Sequence, residues 1–213
     1  MVTTIFDNNL NNNSINSIVG KLRKGSVGVF PTDTVYGIGC DALNLQALEK
    51  LYNIKHRSSN KPICILVSNI DMVKKFTKSI NNIEQKLMEH FWPGDLTIIF
   101  NKSSLAPDLL TSGLDTVGIR MPNNKVCLDI ITKLGNPIAM SSANISNELP
   151  DSNIKNLLRD FDNKVSFIIN SGDLKAGTPS TIVKVENNNI KLIREGKISL
   201  YDINKCIGGN IKC

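Results

Sequence analysis

What the sequence lacks narrows the field first. No stretch of its 213 residues approaches the roughly 18 consecutive apolar positions that a membrane span requires. The start, MVTTIFDNNLNNN, lacks the basic-then-apolar profile of a secretory leader, so the expected location is the cytoplasm, with no membrane partner. The five cysteines, Cys40, Cys64, Cys127, Cys206 and Cys213, are odd in number and form no CxxC pair. Such a set argues against a zinc ribbon or a disulfide scaffold and reads as reduced thiols, mostly core fillers. Neither a GxxxxGKS or GxxxxGKT loop nor GxGxxG occurs, so the common phosphate loop and the dinucleotide fingerprint do not apply. The two histidines, His56 and His90, have no catalytic or metal constellation around them and read as surface residues, and no metal held by protein side chains is expected.

Also missing are an internal repeat and any linker rich in Pro, Gly or Ser, which makes 1–213 a single domain. With 41% hydrophobic residues and a charge of only 25 − 19 = +6, the chain can bury a core and is not of the disordered class. A modest basic excess suits some anionic partner.

The apolar periodicity alternates between helix and strand. Ile15, Ile18, Val19 and Leu22 recur at helical spacing behind Ser14 as cap, and Gly25 stops that helix before an apolar strand at 27–30, so the chain is expected to open helix first. Leu45, Leu48 and Leu51 mark a second helix, followed by a strand at 63–67, helices at 71–76 and 83–91, a Trp92-Pro93-Gly94 turn anchored by its Trp, and a strand at 96–100. Then come a strand at 117–119, a helix at 125–134 closed by Gly135, a strand at 137–140 and a helix at 154–161. Branched residues at 165–169, 181–185 and 190–193 predict three more strands, the last two at hairpin spacing. The fold class is α/β, an open sheet that is mixed because a hairpin implies antiparallel pairing.

Five segments could carry chemistry. The run 31–39, Pro-Thr-Asp-Thr-Val-Tyr-Gly-Ile-Gly, places two hydroxyls and a carboxylate just after a strand, where loops line the crevice of open α/β sheets; the same residues also make ordinary turns. Lys55, Arg57 and Lys61 lie in a stretch, 50–61, with four Lys or Arg and no acid, which suits a polyphosphate or merely a solvated face. Arg120 ends a strand, well placed to clamp a carboxylate. Ser141-Ser142-Ala143-Asn144 follows a strand and could cradle an anion or simply cap a turn. Ser180-Thr181 and Arg194-Glu195-Gly196 bring a hydroxyl and an arginine near strand ends in the last third.

Taken together, PTDTVYGIGCDA, IKHRSSNKP, WPGDLTIIF, VGIRMP, SSANIS, PSTIV and IREG stand in the order and spacing of the YrdC-like family, the threonylcarbamoyl-AMP synthases, from about Gly20 to Gly196. Each motif is weak, but seven in register are specific. The resemblance implies a YrdC-like twisted open mixed sheet flanked by helices, with a concave basic cleft. It implies a nucleotidyltransferase that joins L-threonine, bicarbonate and ATP, carried with Mg²⁺, into threonylcarbamoyl-AMP and pyrophosphate. A downstream threonylcarbamoyl-transferase complex would then modify the adenosine beside the tRNA anticodon, so that tRNA is met only indirectly or weakly.

By the same resemblance the family's Lys-x-Arg and Ser-x-Asn tetrad falls on Lys55, Arg57, Ser142 and Asn144 as catalytic residues. Arg57, Lys61, Thr116, Ser142 and Arg194 would bind ATP, with Lys55 near the phosphates and Ser142 and Asn144 on the opposite wall. Thr34, Arg120 and Ser180 would hold L-threonine. The sequence departs from the pattern at Asn147, where Gly is usual, and in the shifted Glu148-Leu149-Pro150, and it carries Leu66 where some members have His. It ends soon after Arg-Glu-Gly, like the short, single-domain form. The polar segment 144–152 is the expected lid. Two other classes compete: a non-catalytic RNA-binding module, for which the 5% aromatic content offers little stacking surface, and a carbamoyl-adenylate-forming relative of hydrogenase maturation, which would need a longer chain and zinc-binding cysteines.

Overall fold

The computed structural model describes residues 2–144, 153–174 and 177–208, and within them ten strands form one sheet. The strands are β1 (Thr4–Asp7), β2 (Gly28–Phe30), β3 (Gly37–Asp41), β4 (Cys64–Leu66), β5 (Leu96–Asn101), β6 (Thr116–Arg120), β7 (Ile138–Ser142), β8 (Phe167–Asn170), β9 (Thr181–Glu186) and β10 (Asn189–Arg194). The helices are α1 (Asn12–Arg23), α2 (Leu45–Ile54), α3 (Ile70–Phe76), α4 (Asn82–Phe91), α5 (Asp108–Thr111), α6 (Lys125–Leu134), α7 (Ile154–Phe161) and α8 (Leu200–Ile207). The strand order is β1-β8-β2-β3-β7-β4-β6-β5-β9-β10. The sheet is mixed: β1 and β2 pair in parallel with β8, β4 with β6 and β5 with β9, the other neighbours are antiparallel, and β9 and β10 form the expected hairpin.

Asparagine sets most of the helix starts. Asn11, Asn44, Asn69, Asn81, Asn124 and Asn153 each accept a backbone N–H of the first turn, and Asn81 completes a capping box with Glu84. The cap of α1 is therefore Asn11 and not Ser14, whose own N–H is the group being capped. The helices at 125–134 and 154–161 match expectation, and Gly135 ends α6 in the left-handed conformation at φ 81°. The chain opens with a strand, not a helix: β1 is short, half-exposed and paired far along the chain with β8. Strand β3 lies where a loop was expected, and α5 and α8 were not foreseen.

Register sorts the central strands into two faces. Ile38, Cys40, Ile65, Ile98, Phe100, Val117, Ile119 and Ala139 are fully or almost fully buried on one face, within a core that includes Ile18, Leu22, Leu48, Leu51, Ile130 and Ile131 from α1, α2 and α6. The alternate residues are smaller and more polar: Gly37 opposite Ser142, Gly39 opposite Met140, Met140 opposite Cys64, and Gly118 opposite Ile99. This second face also carries Thr97, Thr116 and Arg120. The candidate site lies across it, so its floor is the sheet itself as well as the loops at the strand ends.

Candidate active site

The 31–36 loop folds over this face instead of standing as an open turn. The Thr32 hydroxyl donates to the Val35 carbonyl at 2.5 Å and accepts from the N–H groups of Thr34 and Val35, so the loop is closed by its own side chain. Tyr36 is fully buried, and its hydroxyl donates to the Gly172 carbonyl while accepting from Ser171 N–H, which fastens the 171–172 segment. Gly177 comes in against the same loop: a Cβ there would stand 1.9 Å from the Thr34 carbonyl oxygen. The run 31–39 thus contains a local turn closed by Thr32 and is also packed against distant segments through Tyr36 and Gly177.

Arg120, at the end of β6, gathers that unit. Its Nε donates to the Gly94 carbonyl at 2.8 Å, Nη1 to the Thr34 hydroxyl at 3.1 Å, and Nη2 to Asp33 Oδ1 at 2.7 Å and Asp95 Oδ1 at 2.8 Å. Asp33 also accepts the Asn123 N–H, and Asp95 also pairs with Lys197 at 2.7 Å. Burial raises the Asp33 pKa despite the opposing pull of Arg120. Of the five guanidinium N–H groups four are taken, which leaves one on Nη1, beside the Thr34 hydroxyl. Asp33 was expected only as the carboxylate of the 31–39 run, not as a partner of Arg120; Asp95 and Lys197 were missed by sequence reasoning, the only signal being that Asp95 lies inside a quoted motif.

Ser180 lies on the β5 side of the face. Its hydroxyl is 2.9 Å from that of Thr97, and Arg194 donates to its carbonyl at 2.8 Å and its hydroxyl at 3.2 Å. Gly196 explains why the Arg-Glu-Gly segment can lie against Ser180: a Cβ there would be 2.3 Å from the Pro179 carbonyl oxygen. Residues expected to serve ATP and residues expected to serve threonine therefore meet directly at the Arg194–Ser180 contact.

The basic segment divides at His56, whose φ of 49° turns the chain out of α2. Arg57 is half-buried and donates from Nε to the Lys61 carbonyl and from Nη2 to the Pro62 carbonyl, which closes the 57–62 loop; Lys61 itself is exposed. Lys55, by contrast, is only 1% exposed. Its Nζ donates to the carbonyls of Ser142 (2.5 Å) and Asn144 (2.7 Å) and to Asn144 Oδ1 (3.3 Å). The tetrad residues Lys55, Ser142 and Asn144 are thus in contact and do not face one another across a gap. Burial, helped by the charge of Arg57, pulls the Lys55 pKa down to about 7. Thr116, half-buried at the start of β6, shares the face with Arg120.

The Cys64 thiol ties these parts together. Burial raises its pKa, while the charges of Arg194, Arg57 and Arg120, in that order, pull it back. The charge of Arg120 is balanced by the carboxylates of Asp33 and Asp95. Leu66 is buried on β4. Cys40 and Cys127 are buried with strongly raised pKa values, as core thiols should be. Trp92 is the expected turn anchor, its indole N–H bonded to the Leu96 carbonyl at 2.7 Å. The segment 145–152, with Asn147 and most of the expected lid, lies outside the described residues, as does Cys213. Among the described residues no helix is long and apolar enough to cross a membrane, and no three His, Cys, Asp or Glu converge as a metal site.

Comparison with known proteins agrees with this layout. The Sua5/YciO/YrdC family model, described as "Telomere recombination", matches residues 20–196. A threonylcarbamoyl-AMP synthase of Pyrococcus abyssi is 35% identical over 189 residues, 89% of this chain and 56% of that protein. A putative threonylcarbamoyl-AMP synthase of Methanocaldococcus jannaschii is 34% identical, with 87% of each chain covered. The crystal structure of P. abyssi Sua5 complexed with L-threonine superposes with a TM-score of 0.92 at 32% identity, over 99% of this chain and 62% of that one. The chain spans about half the length of the first curated relatives, 56% and 54%. Seven motifs in register, a matching ten-stranded mixed sheet and these similarities place the chain in the Sua5/YciO/YrdC family.

Proposed function

We propose that the chain is an L-threonylcarbamoyl-AMP synthase, forming threonylcarbamoyl-AMP and pyrophosphate from L-threonine, bicarbonate and ATP. The observation that carries the reading is the Thr34–Arg120 pair, next to Ser180 and Arg194 on one face of the sheet, in a chain similar to a Sua5 solved with L-threonine. The remaining Nη1 hydrogen of Arg120 and the hydroxyls of Thr34 and Ser180 suit the carboxylate and side-chain hydroxyl of threonine. Arg57, Lys61, Thr116, Ser142 and Arg194 take the nucleotide.

In the chemical step an oxygen of N-carboxythreonine attacks the α-phosphorus of ATP. A P–O bond forms to the carbamate oxygen, the α–β bridging P–O bond breaks, and its electron pair leaves with pyrophosphate. The carbamate is already anionic, so no general base is needed at this step. The residues contribute by positioning two anions and by placing the guanidinium groups of Arg57 and Arg194 where negative charge accumulates. Mg²⁺ is read as arriving on the ATP phosphates, which suits a cation that keeps few protein ligands. The adenylate would pass to a transferase complex acting on tRNA, the protein itself meeting tRNA indirectly or weakly.

The test is pyrophosphate release from Mg-ATP with and without L-threonine and bicarbonate. Release dependent on both is expected, and Arg57→Ala should lower it sharply while the protein stays folded. Release that ignores threonine, or a folded Arg57→Ala variant with near-normal turnover, overturns the reading.

A further inference from the structure

Thr97, on β5, is 2% exposed and lies on the substrate face beside Ile182 of β9. The sheet sets its rotamer: Cγ2 stands over Gly118, 3.6 Å from where a Cβ would be, and Oγ1 is turned to Ser180, 2.9 Å from its Oγ. Among the described residues Ser180 Oγ is the only hydrogen-bond partner of this hydroxyl. A buried O–H that donates to nothing is costly, so in this pair Thr97 is the donor and Ser180 the acceptor. Ser180 Oγ also accepts Arg194 Nη2 at 3.2 Å. A serine hydroxyl has two lone pairs and one hydrogen, so both lone pairs are filled and the O–H is the one group it has left. The main chain of Ser180 is held as well: its carbonyl accepts Arg194 Nη2 at 2.8 Å, and the next N–H, that of Thr181, bonds the Asp95 carbonyl at 3.0 Å.

We propose that Thr97 is a positioning residue of the threonine site: together with Arg194 it fills the acceptor positions of Ser180 and makes that serine a hydrogen-bond donor only. The inference rests on the threonine site proposed above. The group that the amino acid presents to Ser180 is then an oxygen acceptor, from its carboxylate or its side-chain hydroxyl. An ammonium N–H in that place would meet an oxygen with no lone pair to offer. Because Thr97 and Arg194 leave the Ser180 proton a single tetrahedral position, the donor is oriented before the ligand arrives, and little entropy is lost in fixing it. Thr97 acts through Ser180 and has no need to touch the substrate.

The test measures kcat and KM in threonine-dependent pyrophosphate release, with folding followed by urea denaturation, for the wild type, Thr97→Ser, Thr97→Val, Ser180→Ala and the Thr97→Val, Ser180→Ala double variant. Thr97→Val keeps the shape of the side chain, removes its donor and frees the Ser180 hydroxyl to rotate. It should raise KM for threonine roughly 3- to 10-fold, the scale of one net hydrogen bond, with kcat and KM for ATP little changed. Thr97→Ser keeps the donor and should restore KM to that of the wild type. In Ser180→Ala the hydroxyl that Thr97 orients is gone, so adding Thr97→Val should raise KM no further. A purely structural role would instead lower stability and the apparent kcat and leave KM unchanged. The inference is overturned by a folded Thr97→Val with wild-type KM, by a Thr97→Ser as impaired as Thr97→Val, or by losses that multiply in the double variant. Should Thr97→Val not fold, Thr97→Ala carries the same expectation, and wild-type KM in it overturns the inference. A wild type without threonine-dependent release overturns the activity proposed above; an active wild type with unchanged KM in Thr97→Val overturns only the role of Thr97.

Discussion

Arg194 Nη2 lies 2.8 Å from the carbonyl oxygen of Ser180 and 3.2 Å from its hydroxyl, so a proposed nucleotide contact and a proposed threonine contact share a hydrogen bond. The two substrates are then not read by independent halves. Arg194→Ala should raise KM for threonine as well as for ATP, and Ser180→Ala should raise mainly that for threonine. In a double-mutant cycle the pair should be non-additive by about 1 kcal/mol or more. Steady-state kinetics with each substrate varied in turn decides it: an Arg194→Ala effect confined to ATP would mean that the halves are uncoupled.

Asp95 holds Arg120 from one side and Lys197 from the other. Asp95→Asn retains one acceptor oxygen but loses the charge that balances two cations, one of them almost buried. The expected outcome is a loss of about 1–3 kcal/mol in stability, the scale of a charged hydrogen bond, with KM for threonine raised and that for ATP little changed. Chemical denaturation together with the KM split checks both parts.

Gly177 passes so close to Thr34 that a single added methyl group would press on main chain, which cannot rotate away. Gly177→Ala should cost about 1–3 kcal/mol, the range of overpacked sites, and should raise KM for threonine because the displaced atoms belong to the Thr34 loop. A melting temperature and KM equal to those of the wild type would contradict the packing described.

For Lys55 the pKa of about 7 in the fold lies below its ordinary value of 10.5. Between these values the unfolded chain holds a proton that the folded chain gives up, so stability rises with pH across that window by up to about 1.4 kcal/mol per unit. Below about 7 both states are protonated, above 10.5 both are neutral, and the slope from this group vanishes. Urea unfolding at pH 7, 8 and 9 should show the rise in the wild type and a shallower one in Lys55→Met. Equal slopes would place the lysine pKa outside that range.

How much of this was legible in the sequence depends on whether the deciding interaction was local. Helix α6 could be read to the residue, because apolar spacing and a terminal glycine both lie inside the segment. Strand β3 was missed because Gly37 and Gly39 break the apolar alternation. Their hydrogen atoms face Met140 and Ile138 on β7, a reason about a hundred residues away. At the site, residue identities followed from motif order, but the joining of Arg120 to Asp33 and Asp95 spans 87 and 25 residues, and no pattern of spacing announces it. Lys55 is the clearest case: a cation in a basic run looks solvent-facing until its three acceptors are seen.

The placement of β8 between β1 and β2 has a consequence for how the chain is made. Both early strands pair in parallel with residues 167–170, and β5 pairs with 181–184, so most of the polypeptide must leave the ribosome before either flank of the sheet can close. During that interval β1 and β2 have no strand on that side, and Phe167, whose ring sits edge-on to Phe6 and Phe30, has yet to be synthesised. The sheet is therefore completed late in translation, and a ribosome stalled before residue 167 would display β1 and β2 with the edges that pair with β8 still open.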